Sequence, residues 1–167
     1  MKKNLIFLLV SAIFLVVSCG TYSFTGGSTG DAKTIQINTF PNNATLVEPT
    51  LSQKFTLALQ DRFLRQTNLT QTNSGGDLLF EGEITQYSII PVTATAQQTA
   101  AQNRLTIAVR VRFYNRLNED DNFERTFSFY SDFDANAQLT GSVLENAYFE
   151  IFERITQDIF NAAVAKW

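Results

Sequence analysis

The stretch Leu105-Thr106-Ile107-Ala108-Val109-Arg110-Val111-Arg112-Phe113-Tyr114 alternates without a break. Leu105, Ile107, Val109, Val111 and Phe113 fall on one parity, and Thr106, Ala108, Arg110, Arg112 and Tyr114 on the other. Successive side chains of an extended strand point to opposite faces, so this segment predicts a strand with one apolar and one polar side. Strict alternation is the mark of an antiparallel sheet covered on one face only, whereas sheets buried on both faces read as continuous apolar runs. The fold therefore needs a second layer packed against the apolar side.

The flanking segments continue the pattern. Upstream, Leu78, Phe80 and Ile84 alternate with Leu79, Glu81 and Glu83, and downstream Phe123, Phe127, Phe129 and Phe133 share one parity. The charges on the polar side suggest a register, because opposite charges favour facing positions across strands. Glu83 facing Arg110 sets Glu81 opposite Arg112 and centres the first hairpin on Ala96 and Gln97. A second hairpin centred near Asn118 brings Arg112 opposite Glu124.

A first strand is expected from Lys33 to Phe40, with Ile35 and Ile37 on one face, ended by Pro41-Asn42-Asn43. Pro49-Thr50-Leu51-Ser52-Gln53 then opens a helix in which Thr50 and Gln53 form a capping box. Leu51, Phe55, Ala58, Leu59 and Phe63 recur at helical spacing, leaving Gln53, Lys54, Gln60 and Asp61 outside. A last helix begins at Ser142, capped with Glu145, and runs toward Trp167. Its buried stripe is Leu144, Tyr148, Ile151, Phe152, Ile155, Ile159 and Ala162, widened by Phe149, Phe160 and Val164. The predicted class is α+β: a two-layer domain with a four-stranded, mostly antiparallel sheet and two helices packed on one face, in the order β-α-β-β-β-α.

Outside this domain the N-terminus carries a different message. Lys2 and Lys3 precede an apolar run from Leu5 to Val17, and Val16-Val17-Ser18-Cys19 follows. The run is short for a bilayer span, which takes roughly 20 apolar residues, and its order is that of a secretory signal. The final four residues look like a lipobox, which implies cleavage after Ser18 and lipidation of Cys19. Cys19 is the chain's one cysteine, so no disulfide is available to it. The expected division is 1–18 as a cleaved lipoprotein signal peptide, 19–32 as a lipidated Gly/Ser/Thr-rich tether and 33–167 as one α+β domain. Two or more acyl chains hold a protein on a membrane where one is marginal. Tyr22 and Phe24 interrupt the tether, with three readings open: the membrane interface, a strand added to a partner, or docking on their own domain.

Composition narrows the function. The full chain has 13 Lys and Arg against 16 Asp and Glu; without Lys2 and Lys3 the 13 become 11 and the balance moves from −3 to −5. That is no nucleic-acid partner's charge. Histidine is absent and the one thiol is assigned to lipid, which excludes Ser-His and Cys-His nucleophiles and His/Cys metal sites. No Gly-rich phosphate loop appears, so no catalytic residue, metal or cofactor is expected.

The motifs in order carry a resemblance. Cys19-Gly20-Thr21-Tyr22-Ser23-Phe24-Thr25-Gly26-Gly27, Ala32-Lys33-Thr34-Ile35, Phe40-Pro41-Asn42 and Pro49-Thr50-Leu51-Ser52-Gln53-Lys54-Phe55 come first. Asp61-Arg62-Phe63-Leu64, Phe80-Glu81-Gly82-Glu83-Ile84 and Asn103-Arg104-Leu105-Thr106-Ile107 follow. Together they resemble the lipopolysaccharide-assembly lipoprotein family LptE, in the form found in Bacteroidetes-like bacteria. The resemblance implies a subunit of the translocon that inserts lipopolysaccharide into the outer leaflet. It implies a lipid anchor on the periplasmic face of the outer membrane and a domain plugged into the β-barrel partner LptD, assisting its assembly. Gly20, where an aspartate would in some bacteria retain a lipoprotein in the inner membrane, agrees with that location. The chain departs from the enterobacterial members, so no ligand-binding residue is carried over from them. Arg104, Arg110 and Arg112 are the candidates for lipopolysaccharide phosphate, because guanidinium grips phosphate bidentately. The alternative is that they serve as cross-strand partners of Glu81, Glu83 and Glu124. The polar sheet face and the uncharged loop Val92 to Gln102 are the candidate barrel contacts. A different role for the same architecture is an unrelated periplasmic lipoprotein that binds a ligand or pilots another secretion barrel.

Overall fold

Phe40 shows how the two layers are joined. In the computed structural model, which describes residues 29–46, 48–92 and 101–164, the first strand β1 spans Thr34–Ile37, shorter than the expected Lys33 to Phe40. After Ile37, Asn38 keeps one more sheet bond, its N–H donating to the Phe80 carbonyl at 3.0 Å, before the ladder breaks until Pro41 and Asn43 bond Ile84. The chain then turns inward. Phe40 is fully buried, its N–H donates to Thr56 Oγ1 and its carbonyl accepts from Ser52 Oγ, both on the helix α1, Leu51–Gln66. Its ring meets Phe55 edge-on at 5.4 Å between centroids.

Three long strands form the antiparallel part of the sheet: β3 (Leu78–Val92), β4 (Gln102–Asn115) and β5 (Phe123–Asp134), with a 3-10 turn at Glu119–Asp121 between the last two. Their register is the one read from charge: Glu81 faces Arg112, Glu83 faces Arg110 and Arg112 faces Glu124. The second hairpin is centred on Asn118 as expected, since Phe113 pairs with Phe123. The turn expected at Ala96 and Gln97 lies outside the described residues, as do the signal segment, Cys19, Tyr22, Phe24 and Trp167.

The sheet has five strands, not four. Thr70–Gln71, β2, adds a fifth at the edge, in the order β2-β1-β3-β4-β5. It pairs parallel to β1, with Thr70 N–H donating to the Lys33 carbonyl and Thr72 N–H to that of Ile35, both at 2.9 Å. β1 also runs parallel to β3, so the sheet is mixed. Both residues of β2 are exposed, which left no hydrophobic alternation to read. A second departure is a bulge in β3 between Ile84 and Gln86. It changes the parity, so that Leu78, Phe80 and Ile84 face inward before it and Tyr87 after it.

Both helices cover the apolar face. α1 buries Leu51, Phe55, Leu59 and Phe63, with Ala58 packed against them. α2, Gly141–Val164, starts one residue before the expected Ser142 and packs chiefly on β5. Its stripe differs from expectation at several points: Ala147 and Thr156 join it, and Leu144 is only partly buried. Phe149 is 71% exposed rather than part of the seam, and Ala163 is buried where Ala162 was expected. Phe160 and Val164 are buried as read. The caps differ as well. Thr50 takes helical dihedrals and makes no side-chain cap, its hydroxyl donating instead to Glu48 Oε1 at 2.9 Å. Glu145 pairs across the layer with Lys54 of α1.

The interior is an aromatic chain running across the elements. Phe123, Phe113, Phe80, Phe63 and Phe160 touch in succession, with centroids 4.7 to 5.3 Å apart. Tilted and edge contacts of this kind add to the gain from burying the rings. Gly82 is required by the same packing: a Cβ there would stand 2.1 Å from the Arg110 carbonyl oxygen and 2.5 Å from the Phe40 ring.

Candidate functional site

With its apolar side covered, the sheet leaves β3, β4 and β5 displaying an ordered row of charge on the other. Arg104, Arg110 and Arg112 all stand there, alternating with the buried residues of β4. Each is paired, but not equally. Arg104 makes two bonds to Asp132, Nε to Oδ1 at 2.7 Å and Nη2 to Oδ2 at 2.8 Å, and its guanidinium stacks 3.7 Å from the Tyr130 ring centroid. Donating to the Asp132 carboxylate raises the Arg104 pKa further, although partial burial opposes it.

Arg110 and Arg112 are held more loosely. Arg110 Nη1 donates to Glu83 Oε1 at 3.2 Å and lies 3.9 Å from Glu124. Arg112 approaches Glu81 only to 4.0 Å. Glu124 faces Arg112 in the register, yet its carboxylate leans diagonally to Arg110. Glu81 and Glu83 also accept from Asn38 and Asn43, at 3.0 and 2.6 Å, which ties the row to the chain around β1. Exposed pairs of this kind contribute little stability each and are screened by salt. Asp132 and Tyr130 were absent from the sequence reading, although the hairpin centre at Asn118 already sets Asp132 opposite Arg104.

Two further groups are electrostatically distinct. Asp77 Oδ2 accepts from the backbone N–H groups of Lys33 and Thr34 and from the Thr34 hydroxyl, at 2.8 to 2.9 Å. The Lys33 backbone bond, then the Thr34 side-chain and backbone bonds, hold its carboxyl below the usual aspartate range. On the helix side, burial pushes the Tyr87 and Tyr148 phenols above their ordinary values. Their hydroxyls lie 3.5 Å apart. A cavity of about 230 Å³ lies at the end of the domain, lined by Thr29, Asp31, Leu78, Asn115, Asp121 and Val164 among others. Among the described residues there is no group of three or more Asp, Glu, His or Cys placed to hold a metal, and no helix is long and apolar enough to cross a membrane. The loop Val92 to Gln102 lies mostly outside the described residues.

Comparison with known proteins agrees with this architecture. The family model described as LptE, lipopolysaccharide-assembly, matches residues 32–163, which takes in every strand and almost all of both helices. Among solved structures the chain is similar to the hypothetical protein CT253 from Chlamydia trachomatis, at a TM-score of 0.58 and 8% identity, covering 81% of this chain and 99% of that one. That likeness is one of fold. A minor lipoprotein from Acinetobacter baumannii has a TM-score of 0.45 at 10% identity, covering 78% of this chain and 91% of its own. The rare lipoprotein B from Shewanella oneidensis also has a TM-score of 0.45 at 10% identity, covering 78% and 90%. No curated protein sequence matches.

Proposed function

The chain belongs to the LptE lipopolysaccharide-assembly family, and from that premise we propose that it is the lipoprotein subunit of the outer-membrane lipopolysaccharide translocon. In this reading the signal peptide 1–18 is removed and Cys19 carries the lipid that holds the protein on the periplasmic face of the outer membrane. Residues 19–32 act as a tether, and the domain from residue 33 onward plugs and helps to assemble the LptD β-barrel. Its work is binding and assembly rather than catalysis. The observation that carries the reading is the family match across the whole two-layer domain.

The open sheet face supports it physically. A polar barrel lumen favours a plug whose outward charges already have partners, because docking then leaves few charges stripped of water without compensation. For lipopolysaccharide phosphate the three arginines rank differently. Arg104 is committed to Asp132 and Tyr130, so an incoming phosphate displaces two good bonds. Arg110 and Arg112 are more exposed, 47% and 37%, and more loosely paired, so they are the first candidates.

Affinity purification of the native protein from detergent-solubilised outer membranes tests the assignment. The expected result is a stoichiometric large β-barrel, with loss of outer-leaflet lipopolysaccharide on depletion. Recovery of a different secretion barrel, or of none, refutes it. Mass spectrometry of the mature N-terminus tests the anchor separately, and an unmodified sulfur at Cys19 would remove it.

A further inference from the structure

The two edges of the sheet are unlike. β2 is two residues long, whereas β5 is an edge strand of twelve. A long open edge presents a row of free backbone groups, and proteins commonly blunt it with charged side chains, lysine above all, with proline or with a bulge. β5 has neither lysine nor proline, its register on β4 is unbroken from Phe123 to Asp134, and its charges, Glu124, Arg125, Asp132 and Asp134, are of both signs. Among the described residues, no backbone bond from another element reaches its outer side between Phe123 and Ser131.

The ladder itself says which groups face outward. Ala135 N–H donates to the Ala101 carbonyl at 3.1 Å, continuing the β4–β5 pairing. Odd-numbered residues of β5 therefore exchange bonds with β4, and Glu124, Thr126, Ser128 and Tyr130 aim their N–H and C=O groups away from the sheet.

We propose that two copies of this chain, when not engaged by another partner, join antiparallel along β5 about a twofold axis between their Phe127 residues. In this register Thr126 faces Ser128, Glu124 faces Tyr130 and Arg125 faces Phe129, so outward-pointing residues meet one another. Charge selects it among the alternatives. Centring on Ser128 sets Glu124 against Asp132, centring on Phe129 sets Glu124 against Asp134, and centring on Arg125 sets two arginines face to face. Centring on Thr126 avoids like charges but shortens the overlap.

The chosen register also finds prepared partners. An incoming Glu124 carboxylate arrives at the Tyr130 ring, where the Arg104 guanidinium is already stacked. An incoming Arg125 arrives at the ring of Phe129, beside Glu150. Arg154, 5.8 Å from that ring, has its own counter-charge in Asp158 at 3.2 Å. Both helix layers fall on the same side, and the two sheets become one of ten strands. The inference goes beyond the translocon reading, which concerns the chain inside a barrel.

One added cysteine tests the register. Facing residues of a pair without hydrogen bonds have Cα atoms about 4.5 Å apart, within the range of roughly 4.4–6.8 Å that a disulfide spans. The full chain bearing Phe127→Cys, expressed without a barrel partner and purified in detergent, is oxidised beside the parent chain and Leu57→Cys, an exposed helix position. Phe127→Cys is expected to form a covalent dimer about tenfold faster than Leu57→Cys, while the parent, whose Cys19 sulfur carries the lipid in the reading above, forms none. Thr126→Pro removes one outward N–H and leaves the β4 ladder intact. It should suppress the crosslink and shift sedimentation from two chains to one. A folded Phe127→Cys chain that crosslinks no faster than Leu57→Cys overturns the proposal, as does a parent chain that sediments as a single copy at micromolar concentration. Should Phe127→Cys fail to fold, the sedimentation of the parent against Thr126→Pro decides alone.

Discussion

Val109, Val111 and Phe113 leave β4 on one side and Arg110 and Arg112 on the other, so one strand carries two regions governed by different physics. On the covered side the buried rings are packed against helices with no solvent to fill a gap. On the open side the arginines and carboxylates share partners across strands at distances from 2.7 to 4.0 Å. The lesson is that the first side sets stability and the second sets register and surface character. Substitutions should therefore separate the two by size of effect.

The largest loss is expected on the covered side. Phe80 is fully buried between Phe63 and Phe113, and Phe80→Ala should cost about 3–5 kcal/mol, read as a lower urea midpoint. Gly82→Ala should cost about 1–3 kcal/mol, because the added methyl meets backbone at Arg110 and the Phe40 ring. An unchanged midpoint for either variant would break the comparison.

Asp77 sits between the two regimes, a half-buried carboxylate with three ordered donors. Its folded pKa lies below the ordinary value. Its contribution to stability is therefore present above about pH 4 and is lost as the pH falls through the folded pKa. Asp77→Asn should be less stable than the parent near neutrality, and the gap should close in acid. A gap independent of pH would assign the loss to shape rather than charge.

The smallest effects belong to the open face. A double-mutant cycle on Arg104 and Asp132 should give a coupling of about 0.5–1 kcal/mol, reduced by added salt. Arg112→Ala, whose nearest carboxylate is 4.0 Å away, should fall within about 0.5 kcal/mol of the parent. A larger coupling at Arg112 than at Arg104 would reverse the ranking proposed for phosphate contact.

Much of this was legible beforehand for a simple reason. The strands of the meander are long, one face is buried, and a slip of one residue would turn every side chain around, so alternation and charge together define the pairing. What escaped notice left weak marks. β2 is two exposed polar residues held by backbone bonds alone. Phe149 has helical spacing with the buried stripe but lies on its outer margin. The cap at Thr50 was lost because Thr50 itself takes helical dihedrals, whereas a capping side chain needs a non-helical backbone to reach the first-turn N–H groups. Of the three arginines, the polar face was readable from alternation, whereas the unequal grip on each depended on Tyr130 and Asp132.

The extra residue at the β3 bulge gives the strand a spare link. Dropping a single amino acid from a paired strand ordinarily turns everything beyond it inside out. Removing Thr85 instead leaves Ile84, Gln86 and Tyr87 in simple in-out-in order, with Tyr87 still beneath the helices beside Tyr148. The same deletion at Gly82 would reverse one half of the strand against the other. This domain can thus shorten its longest strand by one unit, at one place, without exchanging its inside for its outside.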